Sequence, residues 1–152
     1  MKRINRIKFG TDGWRDVIGE NYTFDNVRSV AQATADYFKQ NRPNKTKKIA
    51  VIGIDRRFLS DEFAQVVAEI MAGNGFKVLI ADSPVPTPVV SWHTHKHKAR
   101  FGIMITASHN PARFNGYKIK LHHGGPADEN TCRSIEQNIG KQIIKYTSFV
   151  TG

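Results

Sequence analysis

The sequence predicts a three-layer α/β/α domain with a mixed, mostly parallel sheet and an antiparallel edge strand. Three observations predict it. Segments of helical periodicity alternate with apolar, strand-like runs, the pattern of a sheet covered on both faces. The run Ile49-Ala50-Val51-Ile52-Gly53-Ile54 is continuously apolar, as in a strand buried on both sides. The connection from residues 101–105 into residues 116–121 is too short for a crossover helix, so the strand after it turns back antiparallel, at an edge. At 152 residues the chain is expected to form one domain, residues 1–152.

Each element has its own signal. The first helix starts after Thr23 or Asp25, and Val27, Val30, Ala31, Thr34, Tyr37 and Phe38 make its apolar face. A buried strand over residues 48–54 ends at Asp55. Ser60 is expected to cap the second helix, with Asp61 and Glu62 in its first turn, where the helix dipole favours acids. Its stripe is Phe63, Val66, Val67, Ile70 and Met71, and Gly73-Asn74-Gly75 stops it. A strand follows over residues 76–81. Thr87-Pro88 reads as a cap with proline at the first helical position, opening a short helix through Trp92. After the strand at 101–105 and a serine-containing loop, residues 116–121 alternate Tyr117, Ile119 and Leu121 with Lys118 and Lys120. A final helix is expected from about Asp128 to Lys145, with Cys132, Ile135, Ile139 and Ile143 inward.

Composition narrows the function classes. An apolar fraction of 39% and a charged fraction of 24% are those of an ordinary globular protein. No run approaches the roughly 18 apolar residues of a membrane span, and residues 1–6 lack an apolar signal core. The single cysteine, Cys132, excludes an internal disulfide framework and points to a reducing compartment, the cytoplasm. A net charge of +10, from 23 Lys and Arg against 13 Asp and Glu, suits an anionic partner. The densest basic stretches, residues 39–48 and 96–100, do not interleave aromatics with cations. They read as solvated surface, which favours a phosphorylated small molecule over nucleic acid.

Chemistry concentrates in Ile105-Thr106-Ala107-Ser108-His109-Asn110-Pro111. In α/β proteins ligands bind beyond the carboxyl ends of the strands, and Ser108 stands directly after one. Pro111 holds Asn110 extended and removes a backbone donor, which makes a shaped loop. The loop is not the Gly-x-Ser-x-Gly elbow of a hydrolase. A serine that accepts and returns a phosphoryl group needs cationic donors and a proton donor, and Arg15, His109 and Lys118 suit that task. Phe9-Gly10-Thr11-Asp12-Gly13-Trp14-Arg15 combines two glycines with an arginine in one loop, a weak anion-site signal. Gly53-Ile54-Asp55-Arg56-Arg57 at a strand's end reads as a salt-bridge site before an anion site. His93, His95 and His97 make a poor metal site. On a helix His93 and His97 share a face while His95 points away, and lysines intervene.

The segment Thr106-Ala107-Ser108-His109-Asn110-Pro111, followed by Asn115-Gly116-Tyr117-Lys118-Ile119, resembles the active-site signature of the α-D-phosphohexomutases, the phosphoglucomutase/phosphomannomutase superfamily. Residues 9–15, Gly53-Ile54-Asp55-x-Arg57, Val85-Pro86-Thr87-Pro88 and Gly124-Gly125 fall in that family's order, so the resemblance covers essentially the whole chain. It implies that Ser108 is a phosphoserine that gives its phosphoryl group to a hexose phosphate and takes one back from a hexose 1,6-bisphosphate. It also implies that a phosphoserine oxygen ligates Mg²⁺. Lys118 and Arg15 match positions near the reacting hydroxyl that are linked to acid/base work. By the same resemblance His109 supports the loop, and Thr11 with Arg15, Ser108 and Lys118 contacts the phosphosugar. Lys120 is expected to be a solvated charge. The family's enzyme has four domains and this chain resembles only the first, so the remaining mutase domains are expected partners and the isolated chain is expected to be inactive. A non-catalytic phosphosugar-binding module is the alternative. Glucose, mannose and other hexose phosphates stay open, although Thr106 leans away from the amino-sugar branch.

Overall fold

Helices form where an apolar stripe recurs at the helical period and a polar side chain closes the first turn. Thr23 shows this: its hydroxyl accepts the Asn26 N–H at 3.2 Å and starts the first helix. The computed structural model describes residues 7–10 and 13–148. Among the described residues the order is β1 (Trp14–Val17), α1 (Phe24–Gln40), β2 (Lys47–Ile54), α2 (Ser60–Gly73), β3 (Lys77–Ile80), α3 (Thr87–Lys96), β4 (Ala99–Ile105), β5 (Phe114–Leu121) and α4 (Glu129–Asn138). No helix among these residues is long and apolar enough to cross a membrane.

The strands form one sheet in the order β1-β5-β4-β2-β3. β2 runs parallel to both β3 and β4, and β5 is antiparallel to β4. The mixed α/β/α class therefore holds. Antiparallel β5 is not at the edge, however, because β1 pairs outside it, also antiparallel. Only four residues long and preceded by glycines, β1 carries too little periodicity to separate it from a loop.

Alternation along the strands sends side chains to two layers. Ala50, Ile52, Ile54, Phe101, Ile103, Ile105, Tyr117 and Ile119 join the main core with α1, α2 and Ile135 of α4. Ile49, Val51 and Met104 face the other way and pack with Val90 of α3. Aromatic pairs dominate the main core: Phe38 stacks on Phe101 at 4.3 Å, and Phe63 meets Tyr22 and Phe24 at 4.7 and 4.5 Å. Each such buried ring contributes roughly 1.5–3 kcal/mol relative to exposure.

Several boundaries differ from expectation. Leu59, in a left-handed conformation with φ of 63°, takes the position before α2, and Ser60 is the first helical residue; its hydroxyl turns back to Asp55 Oδ1 at 3.0 Å. Pro86 precedes α3, which Thr87 opens and which continues past Trp92 to Lys96. α4 stops at Asn138, well short of Lys145. Gly140 adopts φ of 79°, Ile143 is 85% exposed, and Ile144 packs on the core instead. The chain beyond runs extended across α1 and α2, with Lys145 N–H on Gln32 Oε1 at 2.9 Å and Thr147 N–H on the Glu69 carbonyl at 3.1 Å.

Candidate active site

β2 and β4 lie side by side and end together. The ladder between them runs on through Asp55 N–H to the Ile105 carbonyl at 3.2 Å, so the loops after these strands share one place at the carboxyl end of the sheet. The serine loop leaves β4 here. Thr106 N–H reaches the Gly116 carbonyl at 3.1 Å, and Ser108 N–H donates to Thr106 Oγ1 at 3.0 Å. Asn110 N–H closes a turn onto the Ala107 carbonyl, and Phe114 N–H another onto that of Pro111. Ser108 is exposed and has φ of 56°, the left-handed region. For a residue with a Cβ this costs on the order of 1 kcal/mol or more, and it persists only where the surroundings over-determine it.

Arg15 sits on β1 opposite Gly116 of β5, and its Nη1 donates to Asn110 Oδ1 at 3.1 Å, inside the serine loop. The approach needs glycine twice. A Cβ on Gly116 would strike the Thr106 carbonyl, and one on Gly13, whose φ is 95°, would strike that of Tyr117. Tyr22 secures the same strand from below, donating its hydroxyl to the Gly116 carbonyl at 2.8 Å. Burial, then Tyr117 and Asp55, raise its pKa well above the usual tyrosine value, so it remains a protonated donor.

Lys118 follows Gly116 by two residues, on the same face of β5. It is 6% exposed, and Lys120 is 7% exposed. Lys120 is therefore not a solvated charge. It stands opposite Gly102 on β4, on the face that Val90 and Thr94 of α3 cover, and its backbone bridges to Pro126. His109 is exposed next to Ser108. Arg15, Ser108 and His109 thus share the serine loop, with Lys118 on the adjoining strand. Thr11 lies outside the described residues.

Sequence reasoning expected a salt bridge at Arg57 and missed that residue's reach into the serine loop. Arg57 does pair with its neighbour, Nε lying 3.4 Å from Asp55 Oδ2, but the rest of the guanidinium turns to the serine loop. Nη2 donates to the Ser108 and Asn110 carbonyls at 2.8 and 2.6 Å, and Nη1 to those of Pro111 and Phe114 at 2.8 and 3.0 Å. Asp55 is itself fixed, since Oδ1 accepts from Arg57 N–H at 2.9 Å and from the Ser60 hydroxyl at 3.0 Å. Asn115, wholly buried, adds its Nδ2 to Ser60 Oγ at 3.0 Å. The available signal was the Asp-x-Arg spacing immediately after a strand parallel to the one that carries Ser108.

The sequence matches the model of a family described as phosphoglucomutase/phosphomannomutase, alpha/beta/alpha domain I, over residues 6–144. The chain belongs to that family. As a domain I of the phosphoglucomutase/phosphomannomutase type, it is 39% identical over 145 residues to a phosphoribomutase from Saccharomyces cerevisiae, covering 89% of this chain and 23% of the relative. A phosphoglucomutase from Staphylococcus haemolyticus is 36% identical over 139 residues, covering 88% and 24%. Among solved structures, a putative phosphomannomutase from Thermus thermophilus superposes with a TM-score of 0.83 at 35% identity, over 94% of this chain and 31% of that one. The chain spans about a quarter of the length of the curated relatives it matches.

Elsewhere in this domain I, His93 and His97 stack at 5.5 Å on one face of α3 and its cap, while His95 is exposed. Among the described residues no three His, Cys, Asp or Glu side chains are grouped as a metal would require.

Proposed function

We propose that this chain is the phosphoserine-bearing first domain of a four-domain phosphohexomutase that interconverts hexose 1-phosphate and hexose 6-phosphate. Ser108 Oγ carries the phosphoryl group. A sugar hydroxyl attacks the phosphorus, the bond to Ser108 Oγ breaks, and a hexose 1,6-bisphosphate forms. The bisphosphate then returns its other phosphoryl group to Ser108. The observation that carries this reading is an exposed serine in a left-handed backbone at the carboxyl end of the sheet, with Arg15 bonded to its loop. Arg15 and Lys118 bring cationic donors toward the transferred group and the reacting hydroxyl, Lys118 holding or returning the hydroxyl proton. His109 supports the phosphoserine loop, and Thr11 completes the phosphosugar contacts.

Mg²⁺ would spread charge on the transferring phosphoryl group. A phosphoserine at Ser108 supplies it one oxygen, and the described residues hold no acidic cluster to complete the near-octahedral shell the ion demands. This chain alone does not fit the ion, and no step here is routed through it; the other ligands belong to the remaining mutase domains. For the same reason the chain alone is expected to lack turnover. The single cysteine supports a reducing compartment, the cytoplasm. A pentose phosphate is the second reading for the substrate, favoured by the phosphoribomutase among the relatives.

Phosphopeptide mapping after incubation of the complete enzyme with labelled hexose 1,6-bisphosphate tests the proposal. Label is expected at Ser108 and nowhere else. Label at Ser83 or Ser134, or in the Ser108→Ala variant, would sink it. Phosphosugar binding without any label would favour the non-catalytic module.

A further inference from the structure

We infer that Arg57 is a positioning residue, which holds the Ser108 loop in its left-handed conformation and binds no phosphate itself. The inference rests on the phosphoserine reading above and adds a residue that acts through the nucleophile's backbone.

An arginine has five N–H donors in a rigid planar fork. The four terminal N–H groups are engaged here, two from Nη1 and two from Nη2 on four main-chain carbonyls, and Nε faces Asp55 Oδ2 at 3.4 Å as an ion pair. A guanidinium so committed has no donor left for an oxyanion, although its position near a strand end would suggest one. The four carbonyls belong to a loop and its first strand residue, where the sheet ladder does not reach. Main-chain carbonyls outside a ladder still take a partner, and one side chain provides it for all four. The direction of the fork is set from behind. Asp55 is held by Ser60 and by the Arg57 amide, and Arg57 has a side chain only 13% exposed. It holds the carbonyl of the strained residue itself, Ser108 with φ of 56°, and that of Asn110 two residues on.

Lysine cannot reproduce this. It brings three donors from a single point and no fork, and it leaves at least one of the four carbonyls without its bond. Displacing a reacting atom by about 1 Å costs on the order of 10²-fold in rate, while substrate binding, which Arg57 does not touch, should be spared.

The test compares Arg57→Lys and Arg57→Ala with the unchanged protein by three measurements. These are phosphoryl transfer through Ser108 with kcat and KM separated, amide hydrogen exchange, and thermal unfolding. The inference expects kcat to fall about 10²-fold in Arg57→Ala and about tenfold in Arg57→Lys, with KM changed less than about threefold. Exchange at the Asn110 and Phe114 amides should rise at least about tenfold, while core amides of α1 keep their protection. A KM that rises tenfold at constant kcat would make Arg57 a phosphate ligand and overturn the inference. So would loop exchange that does not change. If Arg57→Ala does not fold, Arg57→Lys carries both readouts. If Ser108 is never labelled in the unchanged protein, yet exchange at the loop rises in the variants, the phosphoserine reading falls and the clamp stands.

Discussion

Both ends of the sheet are basic, yet they use their cations in opposite ways. At the carboxyl end, Arg15 and Arg57 each donate to named acceptors of one loop, and that loop presents Ser108 to solvent. At the amino end, Lys48 Nζ lies 5.3 Å and Arg100 Cζ 5.6 Å from the centre of the Phe76 ring, a contact that attracts a cation without orienting it. Arg100 is 7% exposed and donates Nη1 to the Phe38 carbonyl at 3.0 Å. Desolvation, then Arg100, Lys39 and Arg42, lower the Lys48 pKa below the usual lysine value, and desolvation with Arg42 does the same to Arg100. These cations hinder one another. A net charge of +10 therefore does not locate a site; donors committed around an exposed serine point to one.

Lys118→Ala should break the carboxyl end most severely. In the complete enzyme it should lower turnover by about 10² to 10⁴-fold, the usual worth of a positioned proton-transfer group. Lys120→Ala, two residues along the same face, should cost less than about tenfold in turnover. Because Lys120 is buried, this variant should also lose roughly 1 kcal/mol of stability through its packed stem. Steady-state kinetics on both variants, with thermal unfolding beside them, decide the assignment. Equal losses of turnover, or a larger loss at Lys120, would mean that the wrong lysine has been named.

The amino end is tested by Arg100→Met. Phosphoryl transfer should change by less than about threefold, since the substitution sits a whole strand away from Ser108 and distant sites behave additively. NMR titration should show the Lys48 pKa rising toward its ordinary value once the Arg100 charge is gone. A tenfold loss of transfer would show that the two ends are coupled and dissolve the contrast.

Asp128 belongs to neither end and gives the scale of a plain surface change. It caps α4, and hydrogen bonds from Thr131, the backbone N–H foremost, hold its pKa below the usual aspartate value. Asp128→Ala should cost about 1 kcal/mol at neutral pH. A carboxyl whose folded pKa is depressed stabilises above its unfolded pKa of about 3.9 and loses that contribution as pH falls through the lower folded value. Unfolding curves of the two proteins should accordingly converge in acid, and a gap that persists there would assign the effect to packing.

Sequence patterning reached the fold where period and chemistry agreed. α1 has its Thr23 cap and its six-residue stripe, β2 is apolar through its buried length, and β4 is so from Phe101 on. It failed where a local rule met a tertiary one. The isoleucine period continues past Asn138, but Gly140 turns the chain away from the helix. Ser60 is an excellent cap by type, yet Asp55 takes its hydroxyl. The alternation of lysines on β5 implies a wet face, and only the placement of α3 over the Gly102 and Met104 face reveals that it is covered. At the candidate site, the motif singles out Ser108 and Lys118, and the structure sets one on the loop after β4 and the other on the adjoining strand. The reach of Arg57 was not legible, since its acceptors are main-chain carbonyls with no side-chain identity to recognise.

Those carbonyls lie 51 to 57 residues along the chain from Arg57, and that separation carries a meaning for how the molecule is made. Arg57 follows β2 and Ser108 follows β4, so the two meet only after β4 has found its place beside β2 and a long intervening loop has closed. The pose of Ser108 is thereby tied to the sheet: a chain in which β4 has not yet joined β2 lacks the Arg57 bonds to the serine loop.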